Sequence, residues 1–185
     1  MTVLGPTLET ARLILRPPTQ ADFDAIAAMA QEAETMRFIG GLQSRDGAWR
    51  ALSSLAGSWA LLGYSMFSVI EKASGRWIGR LGPWRPGGAE GGWPGPEVGW
   101  GLIAAAQGKG YATEGARAAM DWAFDHLGWD HVIHCIDKQN TPSIALALRL
   151  GSSVQREDVV LPAPFEANRV DLYGQTRAQW KARSR

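Results

Sequence analysis

Cysteine is nearly missing from this sequence: Cys135 is the only one in 185 residues. A lone thiol excludes an intramolecular disulfide and any multi-cysteine metal site, and it fits a reducing compartment. Net charge is nearly missing too, with 19 Lys plus Arg against 18 Asp plus Glu, a formal +1. No whole-molecule field therefore draws in nucleic acid or an anionic membrane, and any anion must be held by local groups. No run reaches the ~18 consecutive apolar residues of a membrane span. The opening stretch MTVLGPTLET lacks a basic region followed by an apolar one. Together these absences predict a soluble cytoplasmic protein without nucleic-acid or membrane partners. Histidine is scarce as well, at three. Two of them, His131 and His134, share a strand-like run at a spacing that points them to opposite faces, so no metal site is expected there. Cys135 beside them is expected to be a small buried hydrophobe.

What is present is apolar content of 45%, enough for one sizeable core and short for two. A single domain over residues 8–180 is expected, with terminal extensions at 1–7 and 181–185. ARLILRP reads as a short strand stopped by Pro17 and Pro18. Thr19 and Asp22 form a capping-box pattern ahead of a helix carrying Phe23, Ile26, Ala27 and Ala30. A second helix is expected from Trp49 to Leu62. YSMFSVIEKASGRWIGRLGPW reads as a hairpin about KASG, and the Gly/Pro-rich residues 85–96 as a loop. A strand in EVGWGLI, a helix from about Gly110 to Leu127 and a strand in HVIHCID come after it. A helix over residues 142–150 is expected next, with Thr141 as N-cap and Gly151 as its stop, and then at least one strand through Tyr173. The order β α α β β β α β α β is that of a mixed α/β fold.

The densest signal is GLIAAAQGKGYATEGARAAM, a basic glycine turn between an apolar strand and an amphipathic helix. Free N–H groups and the positive dipole end converge at such a helix N-terminus, and Gly108 and Gly110 let backbone approach an anion. A plain strand-to-helix connection would also use glycine there. Two phosphate loops can be tested by spacing. The P-loop fails, because six residues separate Gly101 from Gly108 and Lys109 is followed by glycine instead of Ser or Thr. The dinucleotide fingerprint fits poorly, because its third glycine position is Thr113.

QGKGYATEG resembles the Q/R-x-x-G-x-G/A pyrophosphate loop of the GNAT acyltransferases, with Gln107, Gly110 and Ala112 at the defining positions. EVGWGL is similar to that superfamily's fourth strand, and NTPSIALALRLG to its N-x-x-S…LG helix. TARLILRP and VDLYGQTRAQW are similar to the ends of the ribosomal-protein alanine acetyltransferase (RimJ/RimL-like) branch. The resemblance spans about residues 8 to 180 in one order. It implies a central, mostly antiparallel sheet splayed between the family's fourth and fifth strands and flanked by helices. It also implies acetyl-CoA as co-substrate, no metal, and acetyl transfer to a primary amine by direct attack in a ternary complex. The protein itself would be a monomer or homodimer.

Residue by residue, the resemblance implies Gln107, Gly108, Lys109, Gly110, Tyr111 and Ala112 around the pyrophosphate. It places Leu102 and Ile103 along the pantetheine, Asn140 at its amides and Ser143 near the thiol. Glu97 is the candidate base and Ser143 a candidate second catalytic group. Trp84 and Trp93 are expected to line the acceptor side, with Trp100 and Arg85 near the same loop. Two departures stand out. Ala147 occupies the position where many relatives carry a tyrosine acid, and Ser152 replaces the usual aromatic after the helix-ending glycine. They leave room for the alternative of a non-catalytic acyl-CoA-binding module.

Overall fold

The computed structural model describes residues 4–86, 92–163, 165–167 and 169–183. Residues 87–91 of the expected Gly/Pro loop, and the outermost parts of both expected extensions, lie outside the described residues. Eight strands form one sheet: β1 (Leu8–Glu9), β2 (Leu13–Arg16), β3 (Phe67–Glu71), β4 (Trp77–Trp84), β5 (Glu97–Leu102), β6 (His131–Ile136), β7 (Ser153–Val160) and β8 (Arg169–Thr176). Their order is β1-β2-β3-β4-β5-β6-β8-β7, antiparallel throughout except between β5 and β6. The two-residue β1 moves the count by one, so EVGWGL is β5 here. The helices are α1 (Phe23–Met29), α2 (Ala33–Met36), α3 (Arg45–Leu62), α4 (Tyr111–His126), α5 (Thr141–Leu150) and α6 (Arg177–Arg183).

One sheet face carries Leu13, Leu15, Val69, Leu81 and Val98 against Ala116, Ala119 and Met120 of α4. The small residues on α4 let it sit close: a Cβ added at Gly115 would fall 2.6 Å from a Leu81 methyl. The other face, at Ile70 and Trp77, is covered by Ile26, Met29, Met36, Ala48 and Leu52 of α1, α2 and α3. Asp22 anchors this layer. It accepts from Thr19 N–H at 2.9 Å, from Arg16 at 2.7 and 2.8 Å, and from Ser68 at 2.8 Å, so its pKa is lowered despite its burial.

The structure adds the short elements β1, α2 and α6 to the expected order, and three further elements differ from expectation. α3 begins at Arg45 instead of Trp49, because Ser44 accepts from Gly47 N–H and starts the helix ahead of its first aromatic residue. The N-cap of α5 is Asn140, not Thr141, and its side-chain oxygen accepts from Ser143 N–H at 3.3 Å. β7 is a strand that the sequence does not announce, since nearly all of SVQREDVV is exposed and gives no alternating apolar signal.

The β5–β6 pair breaks the regularity of the sheet. β5 pairs with β4 at six positions, Glu97 to Leu102, but with β6 only at Glu97↔Ile133. Past Glu97 the two strands part.

Candidate active site

Parting two central strands orphans their backbone groups, and buried orphans are costly. Here side chains take them over. Cys135 N–H, which a continued parallel ladder would pair with β5 backbone, donates to Glu97 Oε1 at 3.1 Å. Val98 O accepts from His134 Nδ1 at 2.6 Å. That bond fixes the tautomer, because Nδ1 must carry the proton and Nε2 must accept, from Ser152 Oγ at 3.0 Å. Gln175 Nε2 donates to the same Ser152 oxygen at 2.9 Å. Burial lowers the His134 pKa to about 4, so the ring is neutral at pH 7. Ser152 is thus the polar link that holds this histidine, which accounts for a hydroxyl in the place of the usual aromatic.

The register also decides which β5 backbone faces the gap. Ile103 N–H donates to Ile78 O, so that alternate set of residues is turned toward β4. Val98, Trp100 and Leu102 are the set turned toward β6. Of the two residues expected along the pantetheine, Leu102 therefore presents its backbone to the gap and Ile103 does not. Trp100, which the sequence groups with the loop tryptophans, presents its backbone to the gap instead. Leu102 O is taken by Gln107 Nε2 at 2.9 Å.

Beyond the gap the chain forms a 3-10 turn, residues 104–106, and then enters α4 through Gly108 and Gly110, both left-handed at φ 73° and 81°. A Cβ at Gly108 would meet nothing within 4 Å. Among the described residues, no backbone hydrogen bond is donated by the N–H groups of residues 108–113; the first helical bond runs from Glu114 N–H to Gly110 O. These donors, with exposed Lys109 at their centre, fit a pyrophosphate. The loop is held from behind by a network that motif reasoning does not find. Arg12 Nη1 donates to Lys109 O at 3.0 Å and its Nε to Glu114 Oε2 at 2.6 Å. Thr10 donates to Glu114 Oε1 at 2.6 Å, and Tyr111 OH bonds Glu71.

The gap opens into a cavity of about 610 Å³ whose wall includes Glu97, Trp93, Trp84, Trp100, Asn140 and Ser143. Glu97 is 5% exposed. Its Oε2 accepts from Trp93 Nε1 at 2.7 Å. Burial raises its pKa to about 7, the hydrogen bonds from Cys135 and Trp93 opposing the rise. Trp84 and Trp93 meet edge-on at 5.3 Å, and Phe165, from the β7–β8 connection, completes the cluster at 5.9 and 5.7 Å. Trp100 stands apart from them. It tilts over His134 at 4.8 Å and donates to Ser143 Oγ at 3.1 Å. Ala147 is wholly buried beside Ile136 and Tyr173, with Trp100 packed on that cluster. Cys135 is half-buried, its thiol pKa pushed up by burial and by the adjacent Glu97 carboxylate, which makes it a poor nucleophile. His131 is exposed beside Asp130. Among the described residues, no group of three or more His, Cys, Asp or Glu could hold a metal.

A sheet split at one strand pair, with a helix N-terminus of free N–H donors at one mouth and a buried carboxylate at the junction, is the arrangement of the expected acyl-CoA acyltransferase fold. The chain belongs to the GNAT acetyltransferase family, matching its acetyltransferase (GNAT) domain over residues 12–153. It is similar to an acetyltransferase from Agrobacterium tumefaciens at 28% identity and a TM-score of 0.79, over 93% of this chain and 95% of that one. It is also similar to a GNAT-family acetyltransferase from Bordetella pertussis, at 28% identity and a TM-score of 0.74, over 92% and 99%. RimJ from Mycobacterium smegmatis, solved with CoA-disulfide, shares the fold at 18% identity and a TM-score of 0.72, over 98% and 94%.

Proposed function

We propose that this protein transfers an acetyl group from acetyl-CoA to a primary amine, a peptide N-terminus or small-molecule α-amine, by direct attack in a ternary complex. The observation that carries this reading is Glu97: a carboxylate buried at the strand junction, on the cavity wall, with a pKa near neutrality. A base of that strength takes a proton from an ammonium at pH 7 to 8 more effectively than an ordinary glutamate. Once Glu97 has released that proton to solvent, the amine nitrogen forms the C–N bond as the C–S bond breaks. The surplus proton on nitrogen passes to Glu97 directly or through water, and the departing thiolate takes up a proton.

On this reading the N–H groups of Gly108, Lys109, Gly110, Tyr111 and Ala112 hold the pyrophosphate. The β6-facing backbone of Trp100 and Leu102, with Asn140, lines the pantetheine in the manner of an added strand. Ser143 stands at the thiol end. Its oxygen already accepts from Trp100 Nε1, which leaves its own proton for the departing sulfur. Trp84 and Trp93 wall the acceptor side. The kinship with RimJ/RimL-like enzymes favours α-amines. Their pKa of ~7.7 to 8.0 also suits a single carboxylate base far better than the ~10.4 of lysine.

Thiol release from acetyl-CoA across peptide N-termini, amino acids, aminoglycosides and polyamines tests the proposal, with mass spectrometry locating the acetyl group. α-Amines are expected to outperform lysine side chains. The wholly buried Ala147 has no proton to give and favours the second reading, a non-catalytic acyl-CoA-binding module. CoA binding without release above the hydrolysis background, for every amine, would establish that second reading.

A further inference from the structure

The cavity holds a second deep charge that this chemistry does not use. Arg80 lies in the middle of β4, opposite Ser68 on β3 and Gly101 on β5. Other arginines of the sheet region are answered: half-buried Arg16 by Asp22 and exposed Arg12 by Glu114. Arg80 has no hydrogen bond or ion pair to any described residue, and no carboxylate offsets the burial that pulls its pKa down. Its side chain lines the 610 Å³ cavity and also a void of about 20 Å³ walled by Met29, Met36 and Trp77. A half-buried guanidinium without a counter-charge destabilises the empty protein, and an anion entering beside it removes that cost.

The β5 positions beside this guanidinium are glycine. Gly99 and Gly101 occupy the β5 positions on the same face as Arg80, and any side chain at 101 would meet Ile39 and Met29 at 3.1 and 3.2 Å. Glu97 shares that face two residues further on, opposite Trp84. Arg80 and Trp84 are four residues apart, so the two charges stand ~13 Å apart along the strands at ~3.3 Å per residue. The wall thus presents a carboxylate at one end and an unanswered guanidinium at the other, with two glycines between them, over which the ends of Met66, Ile39 and Met29 lie.

We propose that Arg80 is the carboxylate receptor of the acceptor site, so that the amine acetylated here belongs to a molecule that also carries a carboxylate. This rests on the acetyl-transfer reading for the amine end. A planar guanidinium matches a carboxylate through two parallel hydrogen bonds. The span, shortened by the reach of the arginine, suits a di- or tripeptide at ~3.5 Å per residue better than a free amino acid. The substrate class is a short acidic or free-C-terminal peptide, with its N-terminal amine at Glu97 and its carboxylate at Arg80.

Binding tests this independently of turnover. Alanylalanine, trialanine and alanylglutamate, each as free acid and as C-terminal amide, are titrated calorimetrically into the CoA-loaded protein and into its Arg80→Gln variant. At least one carboxylate-bearing peptide is expected to bind tenfold or more tightly than its carboxylate-free amide. Arg80→Gln should erase that preference, leave CoA affinity unchanged, and not lower the melting temperature of the empty protein. Retained side-chain preference in alanylglutamate amide would place the carboxylate on the side chain instead of the C-terminus, still at Arg80. If none of the acids binds, if the acid and amide of alanylalanine and of trialanine bind alike while alanylglutamate amide binds no more tightly than alanylalanine amide, or if the preference survives in Arg80→Gln, the proposal is overturned. An Arg80-dependent preference without thiol release would sink acetyl transfer and leave the receptor standing; efficient acetylation of amides and acids alike would do the opposite.

Discussion

Cys135 N–H donates to Glu97 Oε1 at 3.1 Å, so a backbone donor of β6 is satisfied by a side chain of β5 instead of by β5 backbone. This one bond ties the opening of the sheet to the proposed chemistry. The separation of strands, where the pantetheine chain is proposed to lie, is closed off at its inner end by the carboxylate proposed as base. Glu97 therefore has a structural task as well as the proposed catalytic one, and variants must be read for both.

Stability should depend on pH through Glu97. Its pKa is raised in the folded protein, so the protonated form is favoured there and the contribution is fully present below the ordinary value. It is lost as pH rises from 4.5 to about 7, a separation worth ~3 kcal/mol at about 1.36 kcal/mol per pH unit. Urea denaturation at pH 5 and pH 8 should show this decline. In Glu97→Gln the decline should shrink by about that amount, and the variant should be the less stable protein at pH 5, because its amide NH₂ must face one of the two donors, Cys135 N–H or Trp93 Nε1–H, that the carboxyl oxygens accept from. An unchanged pH dependence would remove the buried titration.

Trp93→Phe keeps a ring against Trp84 and Phe165 but deletes the N–H that stabilises the ionised carboxylate. A hydrogen bond to a charged group is worth ~1.5 kcal/mol or more, about one pH unit. The rising limb of kcat/KM against pH, with its midpoint near 7 in the parent protein, should move up by roughly that much. A midpoint that stays in place would mean that Glu97 is not the titrating base.

Ser143→Ala should lower kcat while leaving the acetyl-CoA KM nearly unchanged, most strongly at low pH. Protonating a thiolate of pKa ~8.5 at pH 7 is worth about 2 kcal/mol, so the loss should not exceed about thirtyfold. A larger rise in KM than fall in kcat would make Ser143 a binding residue only.

Gly110→Asp places a carboxylate at the mouth of α4, where its Cβ would lie 3.4 Å from Arg12 Nη2. Both the added charge and the neutralised arginine oppose an incoming pyrophosphate, so CoA affinity should fall by a hundredfold or more. Gly110→Ala, which carries the same left-handed strain of ~1 kcal/mol without the charge, should bind CoA far better. Equal calorimetric affinities for the two variants would withdraw the loop assignment.

Local interactions were legible in the sequence. The glycine turn, the amphipathic face of α4, the hairpin about KASG and the strand EVGWGL depend on neighbours within a few residues, and the ordered motifs led to the family that the comparisons show. Even so, short-range reading misplaced the caps of α3 and α5, where a polar side chain outranked the first apolar residue or the threonine next to proline. Tertiary structure alone decided the parting of β5 from β6 after Glu97 and the burial that raises its pKa. It also brought Phe165 to Trp84 and Trp93, His134 to Ser152, and Trp100 to Ser143, contacts spanning 18 to 81 positions of chain. Arg80 shows the reason most clearly. Sequence records that an arginine sits in a strand, but whether a carboxylate stands beside it depends on which distant segments the fold packs over that strand.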